Sequence, residues 1–263
     1  MWIAGPSEIS VIDAATRAVI GTIPLRNVAY LTASSDGSLW GATATGAIFT
    51  ADRATADQGG TSGLSTWSTT SGTTLGIAPL THGTAALVQR DQLLIMRDGV
   101  VVTSTPLLRG TSVLAVKVDG EERVFVTSAS GLTSYVAADL SNTRSSPIDG
   151  GAVAVAAVDW FDGPRLYVAG RDGVRVYNVK NESATLMAQI TIPGATAILP
   201  NDASRMVHVV APGPDGTGAS LWTIEPNGNA RFADVAVGVD ALTLGASGAA
   251  LDASAERSDG GNE

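Results

Sequence analysis

The residues that most often bind metals or attack substrates are scarce in this sequence. It contains no cysteine, which excludes thiolate metal sites, cysteine nucleophiles and disulfides. The two histidines, His82 and His208, lie far apart in the chain, and a zinc site built on them would need carboxylates as further ligands. We interpret His82 as a turn residue and His208 as a strand residue, and we predict no metal site and no cofactor.

Motifs for nucleophilic or phosphate chemistry are missing as well. The chain has no Gly-x-Ser-x-Gly elbow, and neither histidine has serine and aspartate partners at the spacing of a triad. The glycine-rich run 211–218 lacks the Gly-Lys-Ser/Thr of a phosphate loop and a following helix. We therefore expect the hydroxyl-bearing residues to serve in turns and strands.

Composition narrows the classes of partner. Sixteen basic residues against 25 acidic ones give the 263-residue chain a net charge of −9. Such a charge disfavours nucleic acid and acidic membranes as partners. Hydrophobic residues make up 44 % of the chain, which is enough for a sizeable core and excludes a disordered protein. No run of 18 apolar residues occurs, so we expect no direct membrane insertion.

A β-rich segment recurs along the chain, each time just after a polar turn. The six copies begin at residues 1, 39, 86, 124, 166 and 206, and the sixth runs to about residue 249. The copies read Trp2-Ile3-Ala4, Leu39-Trp40-Gly41, Ala86-Leu87-Val88, Val124-Phe125-Val126, Leu166-Tyr167-Val168 and Met206-Val207-His208. Six units of roughly 40 residues have the length of propeller blades with four short strands each.

The segments between the copies support this register. Turns such as Asp36-Gly37 and Asp119-Gly120 are typical of tight hairpins. Before each turn lies a run of small apolar residues that suits crowded inner strands: Val28–Ala33, Thr74–Leu80, Val113–Val118, Val153–Val158, Ala195–Leu199 and Val239–Leu244. The sequence therefore predicts an all-β, six-bladed propeller over residues 1–249. We expect its ring to be closed by Val239–Leu244 joining the first blade, and residues 250–263 to form an acidic, disordered tail.

One repeat resembles a known family. Residues Glu8–Pro24 read EISVIDAATRAVIGTIP, which resembles the YVTN-type propeller repeat, typically VSVIDTATGKVVATIP. Leu166–Ala169 followed by Val174–Val179 is similar to a second, looser copy. Proteins with this repeat include surface-layer and exported binding proteins. The resemblance implies a propeller and favours a scaffold or ligand-binding role.

Charged residues fall on connections that share one face of a propeller. These connections join successive blades, or join the second strand of a blade to the third. The predicted binding residues on them are Arg26, Arg90, Asp91, Arg109, Asp149, Arg171 and Asp172. Glu8 and Asp215 fall on loops of the same kind. Arginine beside carboxylates at a channel mouth suits a polar ligand such as a sugar or a peptide.

The aromatic pair Trp160-Phe161 precedes a turn on the opposite face. We expect one ring to pack between blades and the other to contact a partner. A solvated polar rim is the alternative interpretation of the charged loops.

These observations favour a non-catalytic binding or interaction module for a protein, peptide or glycan ligand. We expect it to be an extracytoplasmic accessory part of a longer membrane or surface protein that handles glycans, although a cytoplasmic location is also open. The alternative is a metal-dependent hydrolase or lyase acting at the channel. Six-bladed lactonase-like hydrolases hold a divalent ion there with Glu, Asn and Asp, and here Asp240 and Asn27 are the candidates.

Overall fold

The computed structural model describes residues 1–13, 15–68, 72–141, 144–180, 183–201, 204–213, 219–226 and 230–235. These residues form six antiparallel sheets in which sequential strands are neighbours. The first sheet has three strands: β1 (Trp2–Ala4), β2 (Ile9–Ile12) and β3 (Val19–Ile23). The second has four strands: β4 (Val28–Ala33), β5 (Leu39–Thr43), β6 (Ala47–Ala51) and β7 (Leu64–Ser68).

The other four sheets are four-stranded as well. The third contains β8 (Thr74–Pro79), β9 (Thr84–Gln89), β10 (Gln92–Arg97) and β11 (Val100–Pro106). The fourth contains β12 (Gly110–Val118), β13 (Glu121–Ser128), β14 (Gly131–Val136) and β15 (Arg144–Pro147). The fifth contains β16 (Ala152–Trp160), β17 (Gly163–Gly170), β18 (Gly173–Lys180) and β19 (Ser183–Ile190). The sixth contains β20 (Ala197–Asn201), β21 (Met206–Pro212), β22 (Ala219–Ile224) and β23 (Ala230–Val235).

The sheets are the blades of a six-bladed β-propeller, as the repeat predicts. The first strands of neighbouring blades lie side by side in chain order, from β4 through β8, β12 and β16 to β20. Inner strands are crowded: a Cβ added to Gly76 of β8 would lie 3.2 Å from Cγ1 of Val113 in β12. Small residues are therefore required where the blades converge.

The hydrophobic core is divided among the spaces between adjacent blades. One cluster joins Trp40 of the second blade to Leu87 of the third, and another joins Val88 of the third to Val126 of the fourth. Further clusters fill the other spaces between described neighbours. Because each sheet buries both of its faces against its neighbours, the recurrent segments read as nearly continuous apolar runs.

The predicted turns differ in backbone geometry: Asp36-Gly37 lies in the longer connection 34–38 with positive φ at Gly37 alone, whereas two other turns are tight hairpins. His82-Gly83 and Asp119-Gly120 join first to second strands with positive φ at both residues, as a type I′ hairpin requires. The small apolar runs coincide with the first strands of the second to sixth blades. The ring-closing strand Val239–Leu244 and the tail 250–263 lie outside the described residues.

The second repeat differs from the sequence prediction. The glycines from Gly59 to Gly63 and the Ser/Thr run to Thr74 predict a loop, but β7 lies within this segment and pairs with β6. The short helix α1 (Arg53–Gln58) precedes it. Six residues are too few to show helical periodicity, so contacts across blades fix this helix instead. The Trp2 indole donates a hydrogen bond of 2.6 Å to the Ala56 carbonyl, which attaches α1 to the first blade.

Candidate binding surfaces at the two ends of the propeller

Hydrogen bonds between loops define one end of the propeller, which we call the channel face. It consists of the connections between blades together with those between second and third strands. The amide of Ala44 donates to the carbonyl of Asn27 (2.8 Å), and the amide of Gly194 donates to the carbonyl of Arg171 (2.9 Å). The amide of Gly110 likewise donates to the carbonyl of Arg90 (2.8 Å). Each pair joins a connection between blades to a loop within a blade, so both kinds of loop lie together.

The structure places all seven predicted binding residues on the channel face. Arg26, Arg109 and Asp149 lie in the connections β3–β4, β11–β12 and β15–β16. The other four lie in the β9–β10 and β17–β18 loops: Arg90, Asp91, Arg171 and Asp172. All seven are exposed, and none forms an ion pair with another residue that the structure describes. Glu8 is half-buried in the β1–β2 loop, whereas Asp215 lies outside the described residues.

Backbone contacts gather most of these residues into two groups. Arg90 and Asp91 lie against the connection that carries Arg109, because the amide of Leu107 donates to the carbonyl of Asp91 (2.8 Å). The stem of Arg171 covers Gly150, where an added Cβ would lie 3.4 Å from the Arg171 Cβ. Arg171 therefore lies beside the connection that carries Asp149.

An open cavity of about 460 Å³ adjoins the first group. Its lining residues are Gly72, Thr73, Leu75, Gln89, Arg90, Asp91 and Gln92. Gln89 is only 2 % exposed. Its Oε1 accepts a 2.6 Å bond from Gln92 Nε2, and its Nε2 donates a 3.4 Å bond to the Gly72 carbonyl. The hydrogen-bonded Gln89 amide thus forms the floor of the cavity, and charged residues form its rim. The volume of the cavity suits a small polar ligand or a peptide side chain.

Arg109 has an unusual backbone conformation. Its φ is +52°, a left-handed value that side chains with a Cβ rarely adopt. Arg109 comes two positions after the apolar residue Leu107. The equivalent positions in the other described connections between blades are Asn27, Gly150 and Gly194, and each also has positive φ. These residue types tolerate the conformation, whereas arginine pays a steric cost. Arg17 (φ +58°) and Arg205 (φ +55°) share this conformation, so it is not confined to the channel face.

The opposite end of the propeller carries a second feature, which we call the aromatic–arginine cluster: Trp160, Phe161, Arg165 and Arg205. Phe161 occupies the β16–β17 turn and is 87 % exposed, whereas Trp160 is half-buried against the core of the fifth and sixth blades. The predicted contrast between one packed ring and one exposed ring is therefore present. Cζ of Arg205 lies 3.9 Å from the Phe161 ring centre, and Cζ of Arg165 lies 3.7 Å from the Trp160 ring centre.

Charges around the cluster are partly paired. Asp162, in the same turn as Phe161, lies 3.4 Å from Lys180 Nζ and 3.9 Å from Arg165. Partial desolvation opposes ionisation of Asp162, but the charge of Lys180 and its hydrogen bond, with help from Arg165, hold the pKa of that carboxyl below its ordinary value. Burial raises the pKa of Tyr167, and the charge of Arg165 offsets part of that rise. Asp162 is thus ionised at neutral pH and Tyr167 is neutral.

Sequence reasoning missed the arginines of this cluster and the buried amide of the cavity. Arg205 reaches Phe161 from the β20–β21 turn of the next blade. Aligning the repeats places these two turns at equivalent positions of neighbouring blades, and this was the available signal. Gln89 gave no signal, because a glutamine at the end of a strand is ordinary.

The residues considered for metal chemistry do not converge. His82 occupies a hairpin turn, and His208 lies on β21 with its Nδ1 3.0 Å from Thr223 Oγ1. Asn27 lies in the β3–β4 connection, and Asp240 lies outside the described residues. Among the described residues, no group of three or more histidine, cysteine, aspartate or glutamate side chains is arranged to hold a metal ion.

Solved structures with the same architecture share little sequence with this chain. One from the "Mitotic Checkpoint Complex" has a TM-score of 0.66 at 12 % identity, covering 89 % of this chain and 72 % of its own. The Cps50 (Swd1) β-propeller domain of Myceliophteria thermophila has a TM-score of 0.67 at 13 % identity, covering 87 % and 80 %. A putative 6-phosphogluconolactonase from Bacteroides uniformis has a TM-score of 0.64 at 14 % identity, covering 86 % and 76 %.

The sequence matches no protein-family model and no curated protein. The YVTN-type resemblance of the first repeat therefore stays a prediction. In the part of the chain that the structure describes, no helix is long and apolar enough to cross a membrane. At such low identities the structural likenesses show the fold alone: the chain is a six-bladed β-propeller.

Proposed function

We propose that this chain is a non-catalytic interaction module that binds a polar ligand, a protein or peptide segment, on its channel face. The observation that carries the proposal is the charged rim of the 460 Å³ cavity, where Arg90 and Asp91 are exposed and form no ion pair with a described residue. An arginine and a carboxylate held side by side offer both donors and acceptors to one ligand. The buried Gln89 amide supports the base of the same site.

The comparisons add a general argument for an interaction role. One similar structure is from the Mitotic Checkpoint Complex and another is the propeller domain of Swd1, in keeping with propellers as platforms for protein contacts. Fold likeness alone carries little weight for function, so the proposal depends on the site.

The test is a thermal-shift screen of the purified chain against short peptides, oligosaccharides and divalent metals. A ligand at about 100 times its Kd stabilises the folded state by roughly 2.7 kcal/mol. For a chain of this size that corresponds to a rise in Tm of about 5–11 °C. We expect a peptide to produce such a shift and Arg90→Ala or Asp91→Asn to abolish it.

His82→Asn, in the exposed β8–β9 turn at the opposite end of the propeller, is the matched control and should leave the shift unchanged. A peptide shift that persists in both Arg90→Ala and Arg171→Ala would refute the proposed face. A shift with an oligosaccharide that requires Arg90 would make the ligand a glycan. A shift with a divalent metal, lost in Asp240→Asn, would instead support the hydrolase or lyase.

We further propose that the module works outside the cytoplasm, as part of a longer surface or membrane protein that handles glycans. This finer assignment is supported by the resemblance of residues 8–24 to repeats found in exported proteins. Fractionation of the source cells with an antibody against the chain tests it. Signal confined to the cytosolic fraction would refute it.

A further inference from the structure

The aromatic–arginine cluster presents the most exposed large apolar side chain in the described part of the molecule. Phe161 is 87 % exposed at the tip of a tight hairpin, yet it is not isolated, since the Arg205 guanidinium lies 3.9 Å from its ring centre. The neighbouring ring, Trp160, is covered by Arg165 at 3.7 Å. Aromatic and arginine side chains are the types that most often dominate the binding energy of protein interfaces.

The cluster gathers cations on a strongly acidic chain. Arg165, Lys180 and Arg205 supply three cations, Asp159 and Asp162 of the same hairpin supply two carboxylates, and Asp202 precedes Arg205 by three residues in the sequence. Asp162 lies within 4 Å of both Arg165 and Lys180. Arg205, in contrast, forms no ion pair with any residue that the structure describes. Arg205 is thus the cation of this group that no described carboxylate pairs.

The position of Arg205 over the Phe161 ring favours binding of an anion by its guanidinium. A guanidinium that packs its face against a ring keeps its N–H donors at its edge, where they match the two oxygens of a carboxylate. The exposed Phe161 ring provides an apolar contact next to that edge. The site can therefore bind a carboxylate at Arg205 and an apolar group at Phe161, side by side.

We propose that the aromatic–arginine cluster is a docking site for an acidic segment of a partner protein, in which an Asp or Glu carboxylate lies next to an apolar side chain. Charge complementarity selects this partner. A nucleic acid would need an extended array of cations to offset the chain's net charge of −9, whereas a short peptide needs only one. This site is at the opposite end from the channel face and does not depend on the function proposed there.

The experiment uses the full 263-residue chain carrying Arg90→Ala, which removes the proposed channel-face contact, and a displayed library of random dodecapeptides. The most enriched peptide is labelled, and its affinity is measured by fluorescence anisotropy. We expect enriched peptides to carry Asp or Glu within two positions of an apolar residue. Raising the salt concentration should weaken binding, because the contact is exposed and charged.

Substitutions at Phe161 and Arg205 test whether the selected peptide binds at the aromatic–arginine cluster. Phe161→Ala should weaken binding at least about 10-fold, as expected for a central aromatic contact. Arg205→Glu should weaken it by at least as much, and Arg205→Lys, which keeps the charge but loses the planar stack, by about 3-fold or more. Leu108→Ala removes another exposed apolar side chain, but on the channel face, and should change the affinity less than 2-fold.

Thermal unfolding of each variant separates loss of binding from loss of fold. Because Phe161 is so exposed, Phe161→Ala should keep the Tm of the original chain. Enriched peptides without acidic residues, or peptides that bind Phe161→Ala and Arg205→Glu as tightly as the original chain, would overturn the proposal. Equally tight binding of a single-stranded oligonucleotide would overturn the choice of partner.

Discussion

The strained backbone of Arg109 makes a measurable prediction about the channel face. At φ +52° a residue with a Cβ is less stable than glycine by roughly 1–2 kcal/mol. Glycine in its place adds conformational freedom to the unfolded chain, which costs about 0.5–1 kcal/mol. Arg109→Gly should therefore raise the free energy of unfolding by about 0.5–1 kcal/mol, or the Tm by about 1–4 °C.

Arg90→Gly is the matched control for this substitution. Arg90 is also an exposed arginine on the channel face, but its φ is negative, so glycine there relieves no strain. Its carbonyl continues to accept the 2.8 Å bond from the Gly110 amide in the variant. We expect Arg90→Gly to lower the free energy of unfolding by about 0.5–1 kcal/mol, so the two substitutions have opposite signs.

Calorimetry or thermal circular dichroism of the two variants decides the matter, with denaturant unfolding as a second measurement. Both variants lose one arginine from the same face, so a general change in surface charge affects them alike. If Arg109→Gly destabilises the chain as much as Arg90→Gly does, the left-handed conformation of Arg109 is not the source of strain.

Two further predictions concern the fold. An added Cβ at Gly21 would overlap the carbonyl of Gln58 at the end of α1. Gly21→Ala should therefore lower the free energy of unfolding by about 1–3 kcal/mol, as measured by thermal unfolding. Gly5→Ala, where the nearest described atom is 3.3 Å from the added Cβ, is the control. Burial lowers the pKa of His208, so below pH 6.5 the unfolded state takes up a proton that the folded state excludes, and stability falls as the pH falls. His208→Gln should reduce the loss of Tm between pH 7.5 and 5.5, and an unchanged loss would exclude His208 as its cause.

The blades could be predicted from the sequence because the turns and apolar segments that determine each blade lie within one repeat. An Asp-Gly turn such as Asp119-Gly120 fixes a hairpin locally, and the apolar segment that follows it is buried on both faces. The exposure of Phe161 was also predictable, since a tight turn on the surface leaves a large ring little to pack against. In these cases, the determining contacts are close in sequence.

The features that escaped prediction depend on contacts between blades. Helix α1 is capped locally by Asp52, but its position depends on Trp2, more than 50 residues earlier, which donates to the Ala56 carbonyl. Arg205 lies over Phe161 only because neighbouring blades bring their turns together. Neither contact leaves a periodic pattern in the sequence, so residue types alone do not show it.

The two proposed sites lie at opposite ends of the propeller, the cavity on the third blade and the aromatic–arginine cluster on the fifth and sixth, and this separation has a functional consequence. Strand β17 begins at Gly163, next to the aromatic–arginine cluster, and ends at Gly170, next to Arg171. Eight residues at about 3.3 Å each place the two ends roughly 25 Å apart. That distance is several times the Debye length of about 8 Å at physiological salt, so charges at one end are screened from the other. A ligand at the proposed channel-face site should therefore neither block nor repel an acidic segment at Phe161 and Arg205, so we expect the chain to bind both at once.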